Sequence, residues 1–326
     1  MSLDADTIVD RRRMRRKLTF WRVLAVIIAI AAVIAFAAAI NKTGGLFGGR
    51  DYIARVKITG LIRGNQDRVE ALEKLGKEKS AKAVIVHVDS PGGTTSGAEQ
   101  LYDSLARLKA AKPMVIVVDS LAASGGYIAA MAGDHIIAQG SSLVGSIGVL
   151  VQFPNVSELL KTLGVKVEEI KSSPLKAAPN GFEPTSPEAR AAMEMIVKDS
   201  YAWFRGLVQK RRHMDDALLT EVADGRVFTG RQGLKLKLVD ELGDERAALA
   251  WLAKTKGVDP KLKVRDYDLK PRFGELSFLH LATIAALNAV GLTSVAQRLE
   301  SWGTVRAIER LNLDGLLALW HPPGTH

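Results

Sequence analysis

The chain has 326 residues, 47% hydrophobic and 25% charged, a balance that folds around a core and excludes a disordered or fibrous chain. It has no cysteine, which excludes disulfides and cysteine-ligated metal or cluster sites. The net charge of +10 is unevenly placed: residues 1–22 hold seven basic side chains against three aspartates, leaving +6 on the rest. That distribution argues against a nucleic-acid surface and for a topology signal.

The basic run Arg11, Arg12, Arg13, Arg15, Arg16 and Lys17 leads into Val23–Ile40, 18 residues with no polar or charged side chain. As a helix these would measure about 27 Å, close to the roughly 30 Å of a bilayer core. Phe20 and Trp21 stand at the interfacial position. Residues 1–22 are therefore expected in the cytoplasm, 23–40 as a single transmembrane helix, and everything after Ile40 on the far side. A cleaved signal peptide ending near Ala37-Ala38-Ala39 is the competing reading, and it exports the same residues. Asn41–Arg50 contains four glycines and reads as a linker.

Beyond it, apolar runs alternate with helical patterns. Strands are expected over Tyr52–Thr59, Ala83–Val88, Met114–Val118 and His135–Ala138, with helices over Asp67–Lys77, Ser96–Lys109 and from near Ser124. This alternation predicts an α/β fold with parallel strands and right-handed crossovers. Pro187–Arg212 reads as a long helix and Gly225–Gly243 as a turn-strand unit. A folded domain over 51–261 precedes a Leu-, Ala- and Trp-rich extension, 262–326, that reads as short amphipathic helices. Its apolar runs are too short to span a membrane. Packing or oligomer contact is the plainer role for it, and lying on the membrane surface the sharper one.

Two glycine turns follow buried strands. Ala122-Ala123-Ser124-Gly125-Gly126-Tyr127 places a serine between strand and helix, where its hydroxyl meets free helix-terminal amides and a substrate can approach over glycine. This is the logic of a nucleophile turn, although G-x-S-x-G is not matched. Asp89-Ser90-Pro91-Gly92-Gly93 ends the preceding strand, and its glycine amides could face a developing oxyanion. It matches no phosphate-loop pattern, and no cofactor is implied. Six histidines are present: His87, His135, His213, His280, His321 and His326. A triad of Ser124 with His135 and Asp119 or Asp134 is one arrangement. A lysine is the other, since a neutral lysine is a base that needs no partner to fix a tautomer. Lys176, in Ser172-Ser173-Pro174-Leu175-Lys176-Ala177-Ala178-Pro179, has uncharged neighbours.

Asp-Ser-Pro-Gly-Gly at 89–93, Ala-Ser-Gly-Gly-Tyr at 123–127, Gly-Ser-Ile-Gly-Val at 145–149 and the Gly230-Arg231-Gln232 to Leu238-Val239-Asp240 region occur in an order and spacing that resemble the short form of the bacterial signal peptide peptidase SppA family. That resemblance covers about Val84–Ala247. It implies a Clp protease/crotonase-like fold and a Ser-Lys peptidase. Ser124 matches the nucleophile, Lys176 the general base 52 residues later, Ser146 a hydroxyl that orients the lysine, and Gly92 or Gly93 the oxyanion turn. Ala177 and Ala178 depart from the family pattern, which makes Lys171 the fallback base.

The resemblance further implies peptide substrates of the signal-peptide class, a homo-oligomeric ring sharing its active sites between protomers, and a catalytic domain on the periplasmic side of a bacterial inner membrane. The rivals are a crotonase-type acyl-transfer enzyme and a catalytically silent membrane scaffold.

Overall fold

The computed structural model describes Trp21, residues 50–269 and residues 317–319. The expected membrane span at 23–40 lies outside the described residues, as do the linker before Arg50 and most of the extension. Among the described residues no helix is long and apolar enough to cross a membrane. The chain divides into units 1–51 and 52–326, and the architecture below is that of the second.

In chain order the elements are β1 (Tyr52–Thr59), α1 (Gln66–Lys77), β2 (Ala81–Ser90), β3 (Gly92–Thr94), α2 (Thr95–Ala111), β4 (Met114–Ala123), α3 (Gly125–Ala130), β5 (His135–Ala138), β6 (Leu143–Gly145), α4 (Ser157–Thr162), α5 (Pro187–Arg212), α6 (Asp216–Val222), β7 (Val227–Thr229), α7 (Gly230–Lys235), β8 (Glu241–Leu242), α8 (Glu245–Lys256), β9 (Lys263–Asp266) and β10 (Leu317–Leu319). The main sheet runs β7-β6-β4-β2-β1-β9, with β5 between β4 and β8. Its pairs are parallel except β6 with β7. This is a mixed α/β sheet, as the alternation of strands and helices predicts.

The strands carry nearly continuous apolar runs because both faces of the sheet are covered. Along β2, Val84, Val86 and Val88 enter one core cluster with Leu72, Leu101 and Leu105 of α1 and α2. Ala83 and Ile85 point the other way, onto Ala248 and Leu252 of α8. The helices start where side chains can satisfy their first amides. Asn65 accepts from the Arg68 N–H, Thr94 from the Gly97 N–H and Ser186 from the Ala189 N–H.

Three expectations need amendment. β4 runs five residues past Val118, because its end pairs with β6 through Leu121–Ala123. The 225–243 unit contains a helix, α7, started by a reciprocal capping box between Thr229 and Gln232. Within the extension, Lys263–Asp266 is a strand paired with β1, so the folded sheet extends past residue 261, and 317–319 is a strand as well. Backbone pairing on an open sheet edge decided these conformations over the helical side-chain pattern.

One charged network ties the strands to α8. His87 on β2 meets Asp119 at 2.8 Å through Nδ1 and Glu245 at 2.8 Å through Nε2. Arg55 on β1 donates two bonds of 2.6 Å to Glu245 and one of 2.7 Å to Asp266. The Arg55 bonds hold the Glu245 carboxyl below its ordinary value of 4.5. A depressed carboxylate pKa adds stability above the unfolded pKa and loses it as pH falls through the folded one. Glu245→Gln should therefore be less stable than the unmodified protein at pH 7, with the difference closing in acid; denaturant titrations across pH 3–7 check it. On the opposite face Leu105 is fully buried. Leu105→Ala should cost about 3 kcal/mol by the same measurement.

Candidate active site

Three chain segments converge at the carboxyl end of the central strands. Ser90, at the end of β2, is in register with Ala122 of β4. Ala123 is in register with Gly145 of β6. Ser124 follows at once as the cap of α3, and it is 1% exposed.

Ser124 has φ 53° and ψ −117°, a conformation a non-glycine residue holds only under constraint. The constraint is visible. Its N–H donates to Gly145 O at 2.8 Å, and its own carbonyl accepts from the Tyr127 and Ile128 amides. The hydroxyl is held loosely by comparison, 3.5 Å from Gly148 O. A serine with a fixed backbone and a weakly engaged Oγ is presented for reaction.

The Ser90–Thr94 turn is pinned just as firmly. Ser90 Oγ donates to Gly60 O at 2.6 Å and accepts from the Gly92 N–H at 3.1 Å. Gly92 O accepts from the Ile62 N–H, and the Thr94 N–H donates to Ile62 O. Both polar groups of Gly92 are thus engaged. Those of Gly93 alternate to the opposite edge of β3. A Cβ on Gly93 would lie 1.8 Å from Ile62 O, and one on Gly126 would lie 2.5 Å from Ser90 O. Gly93 lets the turn pack on the Ile62 backbone, and Gly126 lets α3 pack on the backbone of Ser90.

Ser146 follows Gly145, whose carbonyl holds Ser124. It too has a left-handed φ, 50°, its N–H donates to Arg226 O at 2.8 Å, and it is buried. Ser124, Ser146, Gly92 and Gly93 therefore lie on neighbouring segments. Lys176 does not join them by any bond. It stands on an exposed turn over 174–177, next to Ala177 with φ 59°. No hydrogen bond connects it to Ser124, and among the described residues its amine has no ion-pair partner. Lys171 is bound by Glu169 at 2.5 Å and Glu183 at 2.7 Å. Hydrogen bonds to Glu169 and Glu183 raise its pKa and keep it charged, the wrong state for a base.

The histidine triad is not formed among the described residues. His135 opens β5 beside Val115, at the other end of β4 from Ser124. It stacks on Trp251 with ring centroids 4.8 Å apart and bonds Glu241 at 3.0 Å. Asp119 is taken by His87, and Asp134 accepts from the Met114 N–H. His213 is the left-handed cap of α5. His280, His321 and His326 lie outside the described residues.

Comparison with known proteins identifies the family. Residues 106–259 match the profile of peptidase family S49, and residues 62–139 that of Clp protease. The chain is 37% identical over 65% of its length to the Synechocystis protein named "Putative protease slr0021", covering 76% of that protein. The chain belongs to peptidase family S49. Its relatives include an Enterococcus faecium protein named "Putative signal peptide peptidase SppA", 34% identical over 59% of this chain and 56% of the relative. Another is the chloroplastic serine protease SPPA of Arabidopsis thaliana, 32% identical over 67% of this chain and 34% of the relative. The chain thus spans about half and about a third of these two relatives. Membership in S49 implies a serine peptidase.

Sequence reasoning missed the part played by Ser90. The signal was there, since a serine two residues before a glycine in a turn is placed to bond the backbone. Ser90→Ala would leave two buried groups, Gly60 O and the Gly92 N–H, without this partner. Each such loss costs about 1–3 kcal/mol. Ser90→Ala should therefore lower the unfolding free energy by at least about 1 kcal/mol, read from denaturant midpoints; an unchanged midpoint would show that the turn is held by other means.

Proposed function

We propose that the chain is a membrane-anchored Ser-Lys endopeptidase that cleaves extended, apolar peptides such as signal-peptide remnants. The observation that carries this is Ser124 itself: buried, held at φ 53° by Gly145, and packed through Gly126 against the two-glycine turn. Ser124 Oγ attacks the scissile carbonyl while Lys176 Nζ takes its proton. Gly93 N–H and the first amide of α3 receive the oxyanion. Because Gly92 N–H is already bonded to Ser90, Gly92 shapes the turn and Gly93 donates. Lysine then returns its proton to the leaving amine. Water hydrolyses the acyl-enzyme, again with lysine as base.

A lysine works this way only when neutral, and burial away from water produces that state. The exposed 174–177 turn of one copy does not bury it. A neighbouring copy would, and the surface around it supports such an assembly. Eleven of the fifteen exposed large apolar side chains among the described residues fall between Leu150 and Ile196. Ile170, Leu163 and Leu159 are among them, all on the same mostly exposed stretch as Lys176. Contiguous apolar exposure of this kind marks an interface. We therefore infer a homo-oligomeric ring in which Lys176, oriented by Ser146, serves the Ser124 of its neighbour. The anchor rests on the apolar run 23–40 and its basic flank, which support a catalytic domain outside the inner membrane. The signal-peptide substrate class rests on the printed name of the Enterococcus relative.

Ser124→Ala and Lys176→Ala should each lower peptide hydrolysis by at least about 10³-fold, whereas Lys171→Ala should retain it. A fluorophosphonate should acylate Ser124 in the unmodified protein. Absence of both labelling and hydrolysis would favour a silent scaffold. Shared sites make a sharper demand: the two inactive variants, dissociated and reassembled together, should regain activity, because mixed rings contain intact Ser124–Lys176 pairs. No recovery from verified mixed rings would show that each chain builds its own dyad.

A further inference from the structure

A second cleft, of about 530 Å³, lies at the amino end of the sheet, away from Ser124. Met114 and His135 open β4 and β5 there, and the ten residues of β4 span about 30 Å between that end and the serine. Three helices end around the cleft. Lys109 belongs to the last turn of α2, Met131 caps α3, and Arg211 and Arg212 close α5. The carbonyl ends of helices attract cations, which accounts for basic residues here. It does not account for how few of their charges are answered. Lys109, Arg211, Arg212 and Lys237 line the cleft, against the carboxylates of Asp134 and Asp240 alone. Both carboxylates are taken: Arg212 bonds Asp240 at 2.6 Å, and Asp134 pairs with Lys256 at 3.2 Å and accepts from the Met114 N–H. Lys109, Arg211 and Lys237 have no carboxylate partner among the described residues.

Two of these cations are poised for a ligand. Arg211 is fixed in place, because its Nε donates to Met131 O at 2.8 Å and its Nη2 to Gly133 O at 2.7 Å. Those bonds leave Nη1 without a partner among the described residues. Lys109 is half-buried, and its amine donates to no group there. Burial, and after it the charge of Arg211, hold that amine below its ordinary value, and Asp134 offsets this only in part. A cleft that opposes the charge of its own lysine is short of an anion. A planar guanidinium beside a lysine amine suits the oxygens of a phosphate.

We propose that this cleft is a binding site for a phosphate-bearing anion, held by Lys109 Nζ and Arg211 Nη1 with the exposed Lys237 beside them. The site stands apart from the peptidase reading and does not depend on it. Two sources share the chemistry: a free phosphate compound, and the headgroup of an anionic phospholipid, which is relevant to a chain that carries the apolar run 23–40.

The chain has no cysteine, so Leu234→Cys, at an exposed position on the cleft, gives a single attachment point for an environment-sensitive fluorophore. The full-length labelled chain is reconstituted in phosphatidylcholine nanodiscs and titrated with inorganic pyrophosphate. A second reconstitution mixes phosphatidylglycerol into the phosphatidylcholine and omits pyrophosphate. Pyrophosphate should give a saturable change in emission. Its half-saturation concentration should rise at least about tenfold in Lys109→Gln, the loss of one charge-assisted bond, and recover in Lys109→Arg. A phosphatidylglycerol-dependent change that Lys109→Gln abolishes assigns the site to a headgroup, and a response to pyrophosphate alone assigns it to a free phosphate. As a check without the label, pyrophosphate should raise the thermal unfolding midpoint of the unmodified full-length chain more than that of Lys109→Gln. Emission and unfolding midpoints that respond to neither anion, or respond equally in Lys109→Gln, would overturn the proposal.

Discussion

The active site depends on the absence of a side chain at residue 126. A Cβ there would stand 2.5 Å from the Ser90 carbonyl, so the first turn of α3 and the end of β2 can touch only because Gly126 has none. From that contact follow the position of Ser124, one turn end away, and the nearness of the Gly92-Gly93 turn. The same device repeats at Gly93 against Ile62. Two backbone-to-backbone contacts bring the proposed nucleophile and the proposed oxyanion donor onto one sheet edge.

Such contacts hold only if the strands behind them do not move. Both faces of the sheet are buried, one under α1, α2 and α3, the other under α8. The Arg55–Glu245–His87–Asp119 network then locks α8 to three strands. Against that rigid support the backbone of Ser124 can be kept at a positive φ. Left-handed non-glycine residues recur at Ser146 and Ala177, so the segments bearing Ser124, Ser146 and Lys176 each have one. The arm from Leu150 to Ile196 is of opposite character, exposed and apolar. A rigid half-site and an unburied arm together fit the proposed assembly, in which another copy completes the site.

Much of this was legible in the residues. The strands and helices through Ala138, and the long helix Pro187–Arg212, follow from continuous apolar runs, helical spacing and caps, which are local properties. The strand-to-helix turn at Ser124 was legible because a serine followed by two glycines, between a buried strand and a helical pattern, is turn chemistry. Less legible were features set by pairing with distant residues. β4 runs on to Ala123 because β6 meets it, and Lys263–Asp266 is a strand because β1 offers an edge. His135 is 11 residues from Ser124 in sequence but at the far end of β4 in space, because α3 and the turn after it carry the chain back to where the parallel strand β5 starts beside Val115.

Sequence by itself determined the fold class, the two glycine turns, the family pattern and the serine, because each is written in neighbouring side chains and short spacings. Only the tertiary structure decided which glycine presents its amide. Ser90 takes the Gly92 N–H, and strand alternation turns Gly93 outward. Only the tertiary structure, too, showed Lys176 unbonded to Ser124 within one chain, and Leu317–Leu319 lying along β3. The Ser90 bond is local, but the pairings of β3 with Ile62 and with Leu317–Leu319 join residues far apart in sequence, and no local pattern records which distant partner a backbone group will find.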